Sequence, residues 1–376
     1  MEGKAHANMT LRENFTYINY ELNRALAADY LFVTVLIAVL LISGVLGNLL
    51  VIKVYYFNIR VDPLSGRAFL PALAVMDLLA CVAGSTIYMV QNLQPASFSG
   101  DALCKFYYVL AYSCTMGASI MLVIISVYRH RKVCTPFKKQ FPVLLVKSSP
   151  FIAGVTGLIM TLPMIPVVGE FQYRHKFYKQ HGQKCTVLYN TTLKVYFWIY
   201  FVVIASVFFG TCVVISFISF RIHRIIKKQI QFRKSSMTRS DTSFSPNPQP
   251  SGAEESESEQ QSSSRSRGSR KSLAHGTLNG TLKQAVKPRH KREKREYAVM
   301  FLLISIVYVA TWLPTLVVNG VKVLSHGIEE HSAPPVYITL RFLNSLFTLN
   351  NVANPFIYFK FDREFRKHFL SFRCKR

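Results

Sequence analysis

Asp77, in the apolar run Leu73-Ala74-Val75-Met76-Asp77, is an acid where little else is charged. A carboxylate in hydrocarbon costs at least about 2.5–3.5 kcal/mol unless it is paired, hydrated or protonated, and an ionisable group so placed marks a functional site by default. Its polar company at comparable depth is a set of amides: Asn48, Asn350, Asn351 and Asn354. Such a cluster can hold a cation, pass a proton, or glue helices together. Asn354 opens the string Asn354-Pro355-Phe356-Ile357-Tyr358. A proline inside a membrane helix removes one backbone N–H and leaves a carbonyl to be satisfied by neighbouring helices, side chains or water. An amide, a kink and a nearby tyrosine therefore describe either a hydrated joint with two arrangements or a fixed packing kink.

Two further polar positions stand out. Arg129 follows Cys104 by 25 positions, about 37 Å of helix at 1.5 Å per residue. That length crosses a bilayer and puts Arg129 at the far mouth with Tyr128 and His130. Trp312-Leu313-Pro314 sets a large ring beside a second proline, with Asn319 and Lys322 further along. Trp312 reads as a packed core residue, the floor of a cavity, or both. No His, Asp or Glu constellation with metal spacing shares one depth, which argues against an enzyme.

The elements that must position these groups are membrane helices. Half of the 376 residues are hydrophobic, and they gather in blocks long enough to span hydrocarbon, which takes about 20 apolar residues. The expected spans are 30–57, 68–92, 104–128, 146–168, 195–222, 297–324 and 335–359, an all-α membrane protein built as a seven-helix bundle. Residues 1–29 lack a basic-then-apolar signal peptide, so the first span is expected to act as the insertion signal. Of the 45 lysines and arginines, 34 fall on one face, which is thereby cytoplasmic. The N-terminus is then extracellular and the protein belongs in the plasma membrane. The net charge of +26 orients the chain and attracts it to anionic lipids of the inner leaflet. It does not point to nucleic acid.

The sequons at Asn8, Asn14 and Asn190 lie on the outer side and are candidate glycosylation sites. Of seven cysteines, only Cys104 and Cys185 fall on that oxidising side, where a disulfide would tie span three to the loop between spans four and five. Residues 233–290 are rich in serine, glycine, proline and charge, and are expected to be a disordered third cytoplasmic loop between 30–232 and 291–360. Its basic serine clusters look like kinase sites. In 361–376, Phe361, Phe365 and Phe369 form one apolar stripe on a basic helix, as an interfacial helix requires. Cys374 is a candidate palmitoylation site.

Taken in order, Gly47-Asn48, Leu73 to Asp77, Cys104 with Cys185, Arg129, Trp312-Leu313-Pro314 and Asn354 to Tyr358 resemble the rhodopsin-like G-protein-coupled receptors from about residue 30 to 370. The resemblance implies that Arg129 holds the inactive state and then faces a heterotrimeric G protein. Trp312, Pro314, Pro355 and Tyr358 then belong to the moving parts, and Asp77, Asn48, Asn350 and Asn354 to a sodium-linked pocket. It also implies kinases and arrestin as partners. The chain departs from the pattern where Tyr128 and His130 flank the arginine in place of an acid and a tyrosine, so the usual local ion pair cannot form and raised basal signalling is expected. Ala118 stands where the sodium site often has serine, which counts against a bound sodium ion. Phe209 and Phe217 stand about where span five usually has proline and tyrosine.

The ligand is narrowed by exclusion. Ala111 replaces the aspartate of amine receptors, and Thr348 the retinal lysine of opsins. The loop from Glu170 to Lys194 carries five basic residues, among them Arg174, Lys176 and Lys184, and Lys322 and Arg341 lie near the outer ends of spans six and seven. Such a rim favours anionic ligands by steering or is simply solvated. The phrase Tyr128 to Phe137 resembles neuropeptide receptors. The expectation is an extracellular peptide, acidic or C-terminally amidated, contacting Ala111, Tyr112, Thr115, Arg174, Lys176, Trp312, Asn319, Lys322 and Arg341. A transporter or channel is the alternative, but no internal repeat or paired midplane charge supports it.

Overall fold

The computed structural model describes residues 11–59, 61–62, 65–176, 178–188, 194–241, 273–325 and 328–373. The helices are α1 (Leu11–Asp29), α2 (Leu31–Ile52), α3 (Leu70–Leu93), α4 (Asp101–Cys134), α5 (Val143–Thr161), α6 (Lys194–Asp241), α7 (Leu273–Leu324), α8 (Ile328–His331), α9 (Pro334–Ser345), α10 (Thr348–Phe361) and α11 (Arg363–Arg373). Strands β1 (Val168–His175) and β2 (Gln180–Val187) form an antiparallel hairpin between α5 and α6.

Among the described residues, six helical segments are long and apolar enough to cross a membrane: Leu31–Asn58, Gly66–Leu93, Asp101–Cys134, Val143–Val167, Val195–Gln229 and Val299–Leu324. They match the first six expected spans. The polarity of a soluble protein is inverted in them, as it is when lipid is the outer solvent. In α2, Phe32, Val35, Val39, Ile42 and Leu46 are exposed while Asn48 is fully buried. Small residues bring helices together without a hydrophobic drive. At the α4–α5 crossing, a Cβ on Gly157 would come within 2.6 Å of the Ser113 carbonyl oxygen and 2.7 Å of Gly117 N.

The stretch expected as one span at 335–359 is two helices. Between α9 and α10 the ladder tightens to three-residue bonds, Leu349 N to Leu346 O at 3.0 Å and Asn350 N to Phe347 O at 3.1 Å. The hydroxyls of Ser345 and Thr348 donate to the carbonyls of Phe342 and Ser345 at 2.7 Å each, and such bonds compete with the helical ladder. α10 packs on α2, α3 and α7, and α9 on α2 and α7.

The N-terminal region is more structured than its polarity implied. Leu22, Leu26 and Tyr30 recur every fourth residue, one face of a helix, and bury against Ala96 and Tyr337. On the other side of the bundle, α6 continues to Asp241 and α7 begins at Leu273, so helix extends into both ends of 233–290. Asn8, Asn190 and Cys374 lie outside the described residues, as does the side chain of Asn14.

Candidate functional site

At mid-depth, Pro355 has no N–H to offer the Asn351 carbonyl four residues earlier. Asn48 supplies the missing donor: its Nδ2 donates to Asn351 O at 2.9 Å and also to Gly44 O at 2.9 Å. Gly47 makes this approach possible, because a Cβ there would sit 2.9 Å from Pro355 Cγ. Beside it, Asn354 Nδ2 donates to Asp77 Oδ2 at 2.6 Å. Asp77 is only 1% exposed, and its Oδ1, like Asn48 Oδ1, has no hydrogen-bond partner among the described residues. Asn350 turns toward Asn351 Oδ1 at 3.5 Å rather than to the carboxylate. Ala118 has no oxygen to add to this set, which leaves a sodium ion short of ligands.

At one end of the bundle, Arg129 lies with its guanidinium carbon 3.6 Å over the ring of Phe301 in α7. Tyr128 is buried between Phe69 and Phe141, with ring centroids 5.0 and 5.9 Å away. His130 is half-buried and takes no part in these contacts. Arg363, at the start of α11, makes a fork onto Glu296, just before the apolar part of α7, with Nε to Oε2 at 3.1 Å and Nη2 to Oε1 at 3.0 Å. Next to it, buried Asp362 accepts from Tyr55 Oη at 2.6 Å, Arg67 Nε at 3.1 Å and Glu364 N at 2.9 Å. It is the N-cap of α11. Tyr358 packs edge-on against Tyr55 and Phe365, each at 6.4 Å, and its hydroxyl has no partner among the described residues.

Between these levels Trp312 touches Phe208, Tyr308 and Phe347 at 6.0, 6.4 and 5.6 Å. Tyr308 donates to Ser119 Oγ at 3.1 Å. A small cavity of about 20 Å³ adjoins Ser119, Phe208, Thr211 and Trp312.

At the opposite end of the bundle the Cys104–Cys185 disulfide pins β2 to the first turn of α4. The hairpin roofs a cavity of about 70 Å³ walled by Tyr30, Tyr88, Tyr108, Tyr112 and Tyr173. Four charges close one side of it. Lys184 of β2 pairs with Glu330 and, at 3.5 Å, with Glu329, while Lys322 of α7 pairs with Glu329 at 2.6 Å. Burial acts against the charge of Lys184, yet Glu330 and Glu329 outweigh it and hold Lys184 above its ordinary range. Burial is likewise outweighed at Glu329, where Lys322 and Lys184 keep the carboxyl well below the usual carboxylate range. Burial pushes Tyr173 up to about 12.

Three stacked polar sites in one helical bundle, with Arg129, Trp312 and Pro355 each in place, call for comparison with known proteins. Residues 47–358, well over half of the chain, match the family model described as 7 transmembrane receptor (rhodopsin family). The chain belongs to that family. It is a multi-pass membrane protein, and its family is one of receptors rather than enzymes. It is similar to the cholecystokinin receptor of Xenopus laevis, 23% identical over 90% of this chain and 75% of the relative. It is also similar to the human cholecystokinin receptor type A, 23% identical over 89% of this chain and 79% of the relative. The mouse neurotensin receptor type 1 is 22% identical over 80% of this chain and 66% of the relative.

Several expected positions move within this receptor. Tyr112, Asn319, Lys322 and Arg341 line the outer cavity. Arg174 and Lys176 do not: both are exposed on the hairpin, because alternate residues of a strand face opposite ways. Ala111 and Thr115 are buried in α4, where the Thr115 hydroxyl bonds the Ala111 carbonyl at 2.7 Å. Trp312 borders the lower cavity rather than the outer one. Phe209 and Phe217 are exposed on α6, and Phe208 takes the inward place. Lys322, expected to await an anion, is held by Glu329. The acids at 329 and 330 were missed because they follow α7 and were not counted with the hairpin's charges. Asp362 was missed although an aspartate just before a charged helical run is an N-cap signal.

Proposed function

We propose that this chain is a plasma-membrane receptor for an extracellular peptide that activates heterotrimeric G proteins by helix rearrangement at its cytoplasmic face. The observation that carries the reading is the vertical order of one bundle: a tyrosine-walled cavity outside, a satisfied proline joint at mid-depth, and Arg129 on Phe301 at the inner mouth. The printed names of the relatives, cholecystokinin and neurotensin receptors, favour a peptide over other ligands.

In this reading α9 and α10 together make the seventh span, so the termini lie on opposite sides, and the distribution of lysine and arginine puts the N-terminus outside with Asn8, Asn14 and Asn190 as glycosylation sites. α11 lies in the inner interface among lipid headgroups, with Cys374 as an anchor, and the serine-rich cytoplasmic loop serves kinases and arrestin. Trp312, Pro314 and Tyr358 couple the outer cavity to the inner mouth. Purified receptor, reconstituted with a panel of G proteins and screened with amidated and acidic peptides, is expected to accelerate nucleotide exchange. Substrate flux through liposomes without such exchange would instead make the chain a transporter.

A further inference from the structure

The charges around the outer cavity are unequally committed. Lys184 and Lys322 are matched by Glu329 and Glu330, so these four groups close the mouth and leave no net cation. Arg341 of α9 is different. Its Nε donates to Asn92 Oδ1 at 2.7 Å and its Nη2 to Gln91 Oε1 at 3.0 Å. Its guanidinium carbon lies 5.3 Å from the ring centroid of Tyr88 and 5.5 Å from that of Tyr30. All its contacts are thus neutral, and it forms no ion pair with a described carboxylate, although Glu329 is near enough to feel its field.

A half-buried guanidinium held only by amide oxygens and aromatic faces retains much of its desolvation cost. The same contacts fix it: two of its donors are anchored from behind by α3, and the rings limit its rotation. The Nη1 nitrogen makes no hydrogen bond among the described residues and the group borders the cavity. Close by, the amide oxygen of Asn344 has no hydrogen-bond partner among the described residues and can accept from a ligand N–H, while its nitrogen donates to Tyr88 Oη at 2.8 Å. Prepositioned guanidinium groups recognise planar oxyanions. The cavity is too small for a folded chain but admits one terminal group.

Building on the peptide-receptor reading, we infer that Arg341 is the anchor for a carboxylate of the ligand, either a C-terminal carboxylate or an acidic side chain, with the tyrosine walls taking an adjacent aromatic or apolar group. This selects acidic or free-acid peptides and disfavours peptides whose only terminus is an amide.

The test uses full-length receptor in nanodiscs and three small probes at millimolar concentration: N-acetyl-tyrosine, N-acetyl-glutamate α-amide and N-acetyl-tyrosine amide. Thermal unfolding is expected to shift upward with at least one of the two acids and not with the neutral amide, the better acid showing which carboxylate is read. Arg341→Gln should lose that shift, and Arg341→Lys should keep part of it, which guards against a variant that fails to fold. Equal shifts with acid and amide, no shift with any probe, or an acid shift that survives Arg341→Gln would overturn the assignment. Nucleotide exchange by a G protein on the same preparation reports separately on the receptor reading, since a receptor that couples without binding acids retains the one and loses the other.

Discussion

Glu296, just before the apolar part of α7 at Val299–Leu324, and Arg363, in the first turn of α11, are joined by two parallel hydrogen bonds of 3.0–3.1 Å. Arg363 directly follows Asp362, whose carboxylate is gripped by Tyr55 and Arg67 and caps α11. The tail helix is thereby fixed to the turn after α2 and the turn before α3, and α7 is tied to it at Glu296. Any movement of α7 at Glu296 away from α11 must break the pair.

Glu296→Gln is therefore expected to raise basal nucleotide exchange on the reconstituted G protein. A part-buried fork of this kind contributes about 1 kcal/mol, a roughly fivefold shift in population. Combining Glu296→Arg with Arg363→Glu should bring the basal rate back toward that of the native chain. If the double variant stays as active as the single one, the pair is not a restraint.

Arg129 stacks its guanidinium on the ring of Phe301. Stacking of a guanidinium on an aromatic face contributes about 0.5–1 kcal/mol where partly exposed, so Phe301→Leu is expected to raise basal exchange about twofold to fivefold. Phe301→Tyr, which keeps the face, should leave it near the native rate. Tyr128→Asp, which restores the family's acid, is a less direct probe, because Tyr128 is packed between Phe69 and Phe141 and its removal also opens the core.

The bond from Asn48 to the Asn351 carbonyl yields a coupled prediction. Asn48→Leu leaves that carbonyl without its donor and should lower stability by about 1 kcal/mol, in line with hydrogen bonds in membrane proteins. Pro355→Ala returns a backbone N–H to the same carbonyl. In that background Asn48→Leu should cost markedly less, a non-additivity visible in the thermal unfolding of the four receptors. Equal costs in both backgrounds would mean that Asn48 stabilises the bundle in another way.

What was legible in the chain follows from solvent and charge. Six spans could be read because lipid turns the apolar pattern outward, and Asp77 with Asn354 because an acid in an apolar run needs a partner nearby. Cys104 and Cys185 were marked by the compartment they share. The Glu296–Arg363 fork was not legible: both residues read as ordinary charges of basic cytoplasmic segments, and only the packing of α10 and α11 brings them together. The same holds for Lys184 with Glu329 and Glu330, which lie in separate outer loops. Arg174, Lys176 and Lys184 look alike in sequence, and the pleat of the hairpin decides which of them faces the cavity. The break between α9 and α10 depends on hydroxyl-to-carbonyl bonds at Ser345 and Thr348 that helix periodicity does not reveal.

The mouth cluster gives a pH dependence with a definite sign. Glu329 is held below its ordinary value by Lys322 and Lys184 despite burial, so its contribution is complete above the usual glutamate pKa of about 4.3 and is lost as pH falls through the depressed folded value. Lys184 is held above its ordinary value by Glu330 and Glu329, again against burial. Its contribution is complete below the usual lysine pKa of about 10.4 and is lost only as pH rises through the higher folded value. The contribution of Glu329 should thus weaken on the acid side, below about pH 5. Thermal unfolding of the native receptor is expected to drop between about pH 5 and 3 more steeply than that of Glu329→Gln, which has no carboxylate left to protonate there. Parallel curves would show that acid acts on the receptor elsewhere than at this cluster.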